Sequence, residues 1–377
     1  MNLDRRRLLS ALAAVPALST LPRSAPGAQN STPDAALDEV FAAAAPVGLG
    51  AALVSREGLL WSGVRGVRRH GQPDPITLDD RWHLGSNTKA MTAAVFGRLV
   101  QQGLARWGMP LTEAFPDLAI DPAWGGATLD DFMHHRAGAT DAAVMGPSWL
   151  MTARQDPRSL PEQRAAIVAR MLASPPSGVP GEFAYGNANY VLLGAAIERI
   201  FGGSWEDAMQ RELFRPLGLA SAGFGPPPGD NAWGHRGAGE QRLPMDPTHP
   251  GADNPLALGP AGTAHMSLAD YGRFLAAIMG GRPEWLSGQE LARLTTPPEG
   301  VEPAYAAGWG VREQPWGGLD GPAPVLGHDG SNTMWHCSVA VAPARGRAIV
   351  TVSNESAAGR GACQTLLRRL APIAAIA

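Results

Sequence analysis

The segment Gly85-Ser86-Asn87-Thr88-Lys89 sets a hydroxyl and an amine three residues apart at the start of an amphipathic stretch. On a helix that spacing puts both side chains on one face, within reach of each other. The free N–H groups at a helix N-terminus favour a developing oxyanion and disfavour an ammonium ion. A partly buried Lys89 is therefore expected to tend toward its neutral, basic form. A neutral amine beside a serine hydroxyl is what activates that hydroxyl as a nucleophile. Ser-x-x-Lys alone is a common spacing, and its bland alternative is a capping serine followed by a surface lysine. Composition adds weight to the chemical reading: the 31 lysines and arginines include a single lysine, Lys89. An arginine-rich composition explains the bias but not the one survivor. A base is where arginine fails, because its guanidinium does not give up a proton.

Two further clusters have chemistry to offer. Tyr185-Gly186-Asn187 follows Pro180-Gly181-Glu182-Phe183 and precedes a helical stretch, so a loop is expected to carry a phenol and an amide two residues apart. The phenol can relay a proton to a leaving group, and the amide can orient a substrate carbonyl or the lysine. His328-Asp329-Gly330-Ser331 sits where a strand begins; its glycine lets a substrate approach the strand edge, and the next N–H can join that of Ser86 in an oxyanion hole. Alone, the first is a capped loop and the second a polar turn.

These residues need elements to hold them. Strand patterns sit at both ends of the chain: 47–55 and 59–66 flank Glu57-Gly58, and 335–341 and 348–353 flank Pro343-Ala344-Arg345-Gly346, two hairpins. Helical patterns fill the middle, with 87–102 ending at Gly103 and 190–200 ending at Gly202-Gly203. Thr128 with Asp131, and Ser267 with Asp270, have capping-box spacing. An isolated hairpin is marginal, so the two ends are expected to share one antiparallel sheet, flanked by helices and interrupted by a mostly helical insertion. This α/β (α+β) reading gives one domain over 34–377, its sheet lobe about 34–85 and 300–377 and its helical lobe about 86–299.

Residues 1–28 read as an export signal: Arg5-Arg6-Arg7, an apolar stretch from Leu8 to Leu21, then small residues suited to cleavage. The paired arginines resemble the twin-arginine signal, which implies a periplasmic or secreted protein. The apolar stretch is too short for a permanent membrane anchor. The chain's net charge is −3, and the signal segment holds four arginines against one aspartate, so the remainder is more acidic still. Nucleic acid is a poor partner for it. His134 and His135 are adjacent and cannot face one ion from a helix, so no metal or other cofactor is called for. Cys337 and Cys363 are open to pairing or to remaining buried thiols.

In their order, Ser-x-x-Lys, Tyr-x-Asn and His-x-Gly resemble the motifs of the penicillin-recognising serine hydrolases: class C β-lactamases, D-alanyl-D-alanine carboxypeptidases and related esterases. The run Tyr185 to Gly194 is similar to that family's Tyr-Ser-Asn to Leu-Leu-Gly segment, and Arg215-Pro216-Leu217-Gly218-Leu219 to its Pro-Leu-Gly-Met turn. Asp131 to Gly138 resembles its Leu-Leu-Thr-His-Thr-Ser-Gly stretch, with Arg136 and Ala137 departing. The likeness runs from about Asp34 to Ala371 and implies a β-lactamase/transpeptidase-like fold. It implies that Ser86 attacks an acyl carbonyl, that Lys89 and Tyr185 move its proton, and that Asn187 holds substrate and lysine. The N–H groups of Ser86 and Ser331 would then stabilise the oxyanion. Which of Lys89 and Tyr185 is the base stays open, because a coupled pair titrates as a unit.

The solitary lysine also bears on substrate. Relatives with Lys-Thr-Gly as third box use its ammonium to attract a carboxylate, and no second lysine exists here. His328 is mostly neutral at pH 7, and Asp329 in place of threonine adds negative charge and removes a donor. Losing one charge-assisted contact costs about 1.5–3 kcal/mol. Arg312 and Arg136 are candidates to restore that charge. The expectation is an exported hydrolase of small-molecule esters or amides, with D-amino-acid peptides in range. The alternatives are a class C-type β-lactamase, a D-alanyl-D-alanine carboxypeptidase acting on peptidoglycan-type peptides and, from another class, a non-catalytic cell-wall or ligand binder. Loops 145–158 and 224–254 are expected to shape the pocket.

Overall fold

A computed structural model describes residues 32–376; the segment read as an export signal lies outside them. Helix α1 (Pro33–Ala44) starts where Thr32 accepts the Ala35 N–H, with proline in the first turn. Strands β1 (Gly48–Ser55) and β2 (Gly58–Gly66) follow as the expected hairpin. Helix α2 (Thr88–Gln101) carries Lys89, and helix α3 (Asn187–Phe201) begins with Asn187. The chain then returns to the sheet with β3 (Tyr305–Ala306), β4 (Trp309–Gln314), β5 (Ala323–Ser331), β6 (His336–Ala342) and β7 (Arg347–Ser353), and ends in helix α4 (Gly359–Ala374).

The seven strands form one sheet in the order β2-β1-β7-β6-β5-β4-β3, antiparallel throughout. Strand β1, from the chain's beginning, lies against β7, from its end, with Leu49 opposite Ser353 and Val54 opposite Ala348. Strand period 2 divides β1 between two cores. Leu49, Ala51 and Leu53 face α1 and α4, where Leu37, Val40, Leu366 and Leu370 pack. Ala52 and Val54 face the insertion, where α2 sits at the centre of a larger core with Met91, Val95, Phe96 and Leu99. Each fully buried leucine, valine, methionine or phenylalanine among them contributes about 1.5–3 kcal/mol. Cys337 belongs to the second core and Cys363 to the first. The sheet stands between the two thiols, and both are free.

The structure differs from the sequence reading at several points. Two small sheets lie apart from the main one, one of Arg81–His83, Ala264–Ser267 and Gly223–Phe224, the other of Gly234–Arg236 and Leu243–Met245. Such two- to four-residue strands are too short for periodicity to register. Thr128 and Asp131 close a full capping box, whereas Ser267 makes only half of one, because the Asp270 carboxylate turns to the Ser221 N–H and hydroxyl instead. Helix α3 starts three residues before the expected Tyr190. Its first-turn N–H at Ala188 is taken by Asp141, a remote cap that local sequence cannot reveal. No helix among the described residues is long and apolar enough to cross a membrane.

Candidate active site

Ser86 lies in a single 3-10 turn (Gly85–Asn87) that runs into α2, so Lys89 is in that helix's first turn, as the three-residue spacing requires. Two neighbouring strands, at Ala264 and Cys337, and the turn's own side chains lock it. Leu84 N–H donates to Ala264 O, Thr88 Oγ1 donates to Gly85 O and accepts from Ala264 N, and Asn87 Nδ2 reaches Leu84 O and Cys337 O. Gly85 has φ +53° and stands against β5: a Cβ there would lie 2.3 Å from Ser331 N. Gly330 closes the same seam from the other side, since its Cβ would lie 1.9 Å from Leu84 O and 2.9 Å from Ser86 N. Only glycine fits at either position, so the Ser86 and Ser331 N–H groups stand on the two sides of one narrow contact.

Lys89 is fully buried, yet its Nζ has three partners: Ser86 Oγ at 3.0 Å, Asn187 Oδ1 at 2.9 Å and Ala261 O at 2.8 Å. Burial lowers its pKa to about 7, with the Asp141 carboxylate pulling the other way. Burial raises the Tyr185 phenol further above its usual range, with the Ser86 hydroxyl opposing the shift. Lys89 Nζ lies 4.9 Å from the Tyr185 ring centroid. Asn187 does not work alone: its Nδ2 donates to Asp141 Oδ2 at 3.0 Å, which aims its Oδ1 at the lysine. At neutral pH the constellation therefore holds an amine near its midpoint, bonded to a partly exposed serine hydroxyl and set over the ring of a neutral phenol.

His328 is on the same side of the sheet as these groups, its ring 6.0 Å from that of Tyr185. Its Nε2 is 3.0 Å from Tyr305 Oη, and burial together with Lys89 lowers its pKa to about 4, so it is neutral at pH 7. Asp329 corrects the sequence reading. It alternates to the opposite face of β5, where it accepts from Ser338 Oγ and from Gln364 Nε2 at 2.9 Å under α4. Its charge is not presented at the substrate side. The two arginines considered as replacements for a third-box lysine are also placed elsewhere. Arg136 donates to Gly181 O and Pro303 O. Arg312 pairs with Val325, a residue of the α1/α4 core, and so faces that layer.

Three contributors were not read from the sequence: Asp141, the Ala261 carbonyl, and His135, whose ring is 4.5 Å from Tyr185 and 5.0 Å from Tyr305. His135 takes φ +58° just after a short helix, and its Nδ1 accepts the Gly186 N–H at 3.4 Å. The only local signal for Asp141 is its position three residues after Gly138.

The β-lactamase family profile matches residues 34–371. The chain belongs to that family, and is a serine hydrolase. Among curated relatives, it is 26% identical over 324 residues to penicillin-binding protein 4 of Amycolatopsis lactamdurans, covering 81% of this chain and 80% of that one. It is 25% identical over 304 residues to an unguisins hydrolase of Aspergillus campestris, with 74% of this chain but only 53% of that protein covered. The lovastatin esterase of Penicillium rubens is 25% identical over 239 residues, 59% of this chain and 56% of the esterase. The chain thus spans little more than half the length of those last two. Among solved structures, the octameric penicillin-binding protein homologue from Pyrococcus abyssi superposes with TM-score 0.71 at 21% identity, covering 90% of this chain and 76% of that one. The D-amino acid amidase of Ochrobactrum anthropi SV3 gives 0.68 at 22%, covering 91% and 99%.

Proposed function

We propose that this protein hydrolyses small esters or amides through an acyl-enzyme on Ser86, with no carboxylate required on the substrate. The observation that carries the reading is the Lys89 cluster: one buried amine with a pKa near 7, hydrogen-bonded at once to a partly exposed serine and to the Asn187 amide. In this mechanism neutral Lys89 accepts the Ser86 proton as Oγ attacks the acyl carbon. Tyr185, a neutral phenol, passes its proton to the leaving group and regains one from the Lys89 ammonium, so both return to their starting forms, and the Ser86 and Ser331 N–H groups hold the tetrahedral oxyanion. Water then attacks the acyl-enzyme and restores the serine. Asn187 holds the substrate carbonyl side and the lysine.

The preference for uncharged acyl donors rests on the third box. His328 is neutral and occupied by Tyr305, while Arg136 is engaged by the Gly181 and Pro303 carbonyls and Arg312 faces the α1/α4 layer. The relatives support breadth: one is an esterase by name, another a penicillin-binding protein. Turnover of p-nitrophenyl acetate, nitrocefin and a D-Ala-D-Ala peptide, measured side by side, tests the reading. The acetate ester is expected to be fastest; nitrocefin hydrolysis without esterase activity overturns the reading in favour of a β-lactamase. Ser86→Ala and Lys89→Ala are each expected to abolish labelling by an activated phosphonate, and persistent labelling in either refutes the assignment. No turnover at all would favour a ligand binder.

We further propose export to the periplasm, on the strength of the Arg5-Arg6-Arg7 and apolar segment. N-terminal sequencing of protein recovered outside the cytoplasm is expected to start after residue 28; Met1 at that terminus contradicts it.

A further inference from the structure

Beside the nucleophile turn, outside the Ser86-Lys89-Tyr185 cluster, a buried carboxylate ties together loops that are far apart in sequence. Asp253 is 5% exposed. Its Oδ2 lies 2.8 Å from His83 Nε2, and its Oδ1 accepts from Asn332 Nδ2 at 2.8 Å and from the Asn254 N–H at 2.7 Å. Its backbone carbonyl takes Arg154 Nη2 at 2.6 Å. The two loops expected to shape the pocket, 145–158 and 224–254, thus meet at this residue.

Both further arms lead to an N–H group of the oxyanion hole. On one side, His83 Nδ1 accepts the Gly85 N–H at 3.1 Å, so this nitrogen carries a lone pair and the ring proton is on Nε2, facing Asp253. The carboxylate fixes the tautomer, and the tautomer fixes the Leu84–Gly85 peptide, one before the peptide that carries the Ser86 N–H. On the other side, Asn332 Oδ1 accepts the N–H groups of Met334 and Trp335, at 3.2 and 3.1 Å, and so shapes the turn that follows Ser331. That turn is closed further by Ser331 Oγ, which donates to Trp335 O and accepts from Thr333 N. The Trp335 ring stacks on His83 at 5.5 Å, joining the two arms.

We propose that Asp253 is a positioning residue for the oxyanion hole: through His83 and Asn332 it sets the spacing between the Ser86 and Ser331 N–H groups. The inference rests on the acyl-enzyme reading above. Donors must sit within hydrogen-bond distance of the transition-state oxygen, and small displacements of a reacting geometry are costly in rate. Asp253 is not among the partners of Lys89, which are Ser86, Asn187 and Ala261. Its loss is therefore expected to lower kcat and leave the lysine titration in place.

The test uses the full chain, p-nitrophenyl acetate, and a phenylboronic acid whose tetrahedral adduct on Ser86 places an oxygen between the two N–H groups. Asp253→Ala is expected to lower kcat by roughly 10- to 100-fold and weaken the boronic acid by a similar factor, since deleting one such donor outright costs about 10²–10³. KM is expected to stay within about threefold and the acidic limb of the pH profile to stay in place. Asp253→Asn sets an amide N–H₂ against a donor on one arm and is expected to be impaired as well. Moving the carboxylate across one hydrogen bond, in Asp253→Asn with Asn332→Asp, restores acceptors for His83 Nε2 and for the Met334 and Trp335 N–H groups. It is expected to recover part of the loss, the Asn254 N–H remaining without its acceptor. A folded Asp253→Ala protein whose kcat and boronic-acid affinity match wild type overturns the inference, as does a double variant no better than Asp253→Asn alone. Phosphonate labelling separates the levels: unlabelled wild-type Ser86 overturns the acyl-enzyme reading and this inference with it, whereas labelled enzymes with unchanged kcat overturn the inference alone.

Discussion

Lys89 is a buried amine whose proton is balanced between desolvation, which expels it, and Asp141, which retains it. In the proposed mechanism the neutral form is the base, so kcat/KM for a neutral ester is expected to rise with pH, with an acidic limb centred near 7. Lys89→Arg keeps a cation but cannot give up its proton, and is expected to lose on the order of 10³-fold or more in kcat/KM. Removing the opposing charge in Asp141→Asn favours neutral lysine, so the same limb is expected to move to lower pH. That variant also sets an amide N–H₂ against either Asn187 Nδ2 or Ala188 N, costing about 1–3 kcal/mol in stability. A pH–rate series on the two variants beside wild type checks both statements, and a limb that moves upward in Asp141→Asn contradicts the balance described. Ser86, Lys89, Tyr185 and Asn187 were legible in the sequence because their contacts follow from local spacing or from familiar motifs. Asp141 and the Ala261 carbonyl were not, because each reaches the lysine through a contact that only the folded chain creates, and a carbonyl has no residue type to announce it.

At the level of elements, alternation and capping explain what could be read and what was misread. The two hairpins were legible to within a residue, since β-branched and apolar runs around glycine-bearing turns leave few other choices. The start of α3 was not, because Asp141 supplies its cap from 47 residues away. Asp329 was misplaced for a different reason: the motif drew attention to its charge, while period 2 on β5 sends it behind His328 to the far face. There burial works against ionisation, but His336, and after it the Ser338 and Gln364 hydrogen bonds, hold its carboxyl down to about 2. Asp329→Asn is accordingly expected to lower stability by about 1–3 kcal/mol and leave kcat/KM within about twofold. Its native pKa lies below the usual carboxylate value, so the stabilisation is present above about pH 4 and is lost as pH falls toward 2. Denaturant unfolding at pH 7 and at pH 3 measures it. A specific loss of turnover in a variant of unchanged stability would put the aspartate back at the substrate.

Across the whole molecule, the site is a seam between a sheet built from both chain ends and the helices inserted between them. The insertion brings Ser86, Lys89 and Asn187, and the sheet brings His328 and Ser331. The two are pressed together at Gly85 and Gly330, where no side chain intervenes. This arrangement lets the long-range fold, rather than any local element, set the distance between the two candidate oxyanion donors, and it makes that seam the place where a small change has the largest effect on chemistry. A methyl group at position 330 would sit 1.9 Å from the Leu84 carbonyl oxygen and 2.8 Å from Asn87 Nδ2, both in the segment that holds the nucleophile. Backbone on that side is tied to Ala264 and Thr88, so it cannot yield locally. The relief available is a separation of β5 from the nucleophile turn, which moves the Ser331 N–H away from Ser86. Gly330→Ala is therefore expected to lower kcat by about 10²-fold or more, while Lys89 keeps its three contacts and its pH limb. Burst kinetics with p-nitrophenyl acetate, followed beside circular dichroism and thermal unfolding, distinguish this outcome from collapse: a folded variant with a slowed acylation phase fits the seam. Wild-type acylation in a folded Gly330→Ala protein would show that the lobes meet less tightly than this geometry requires.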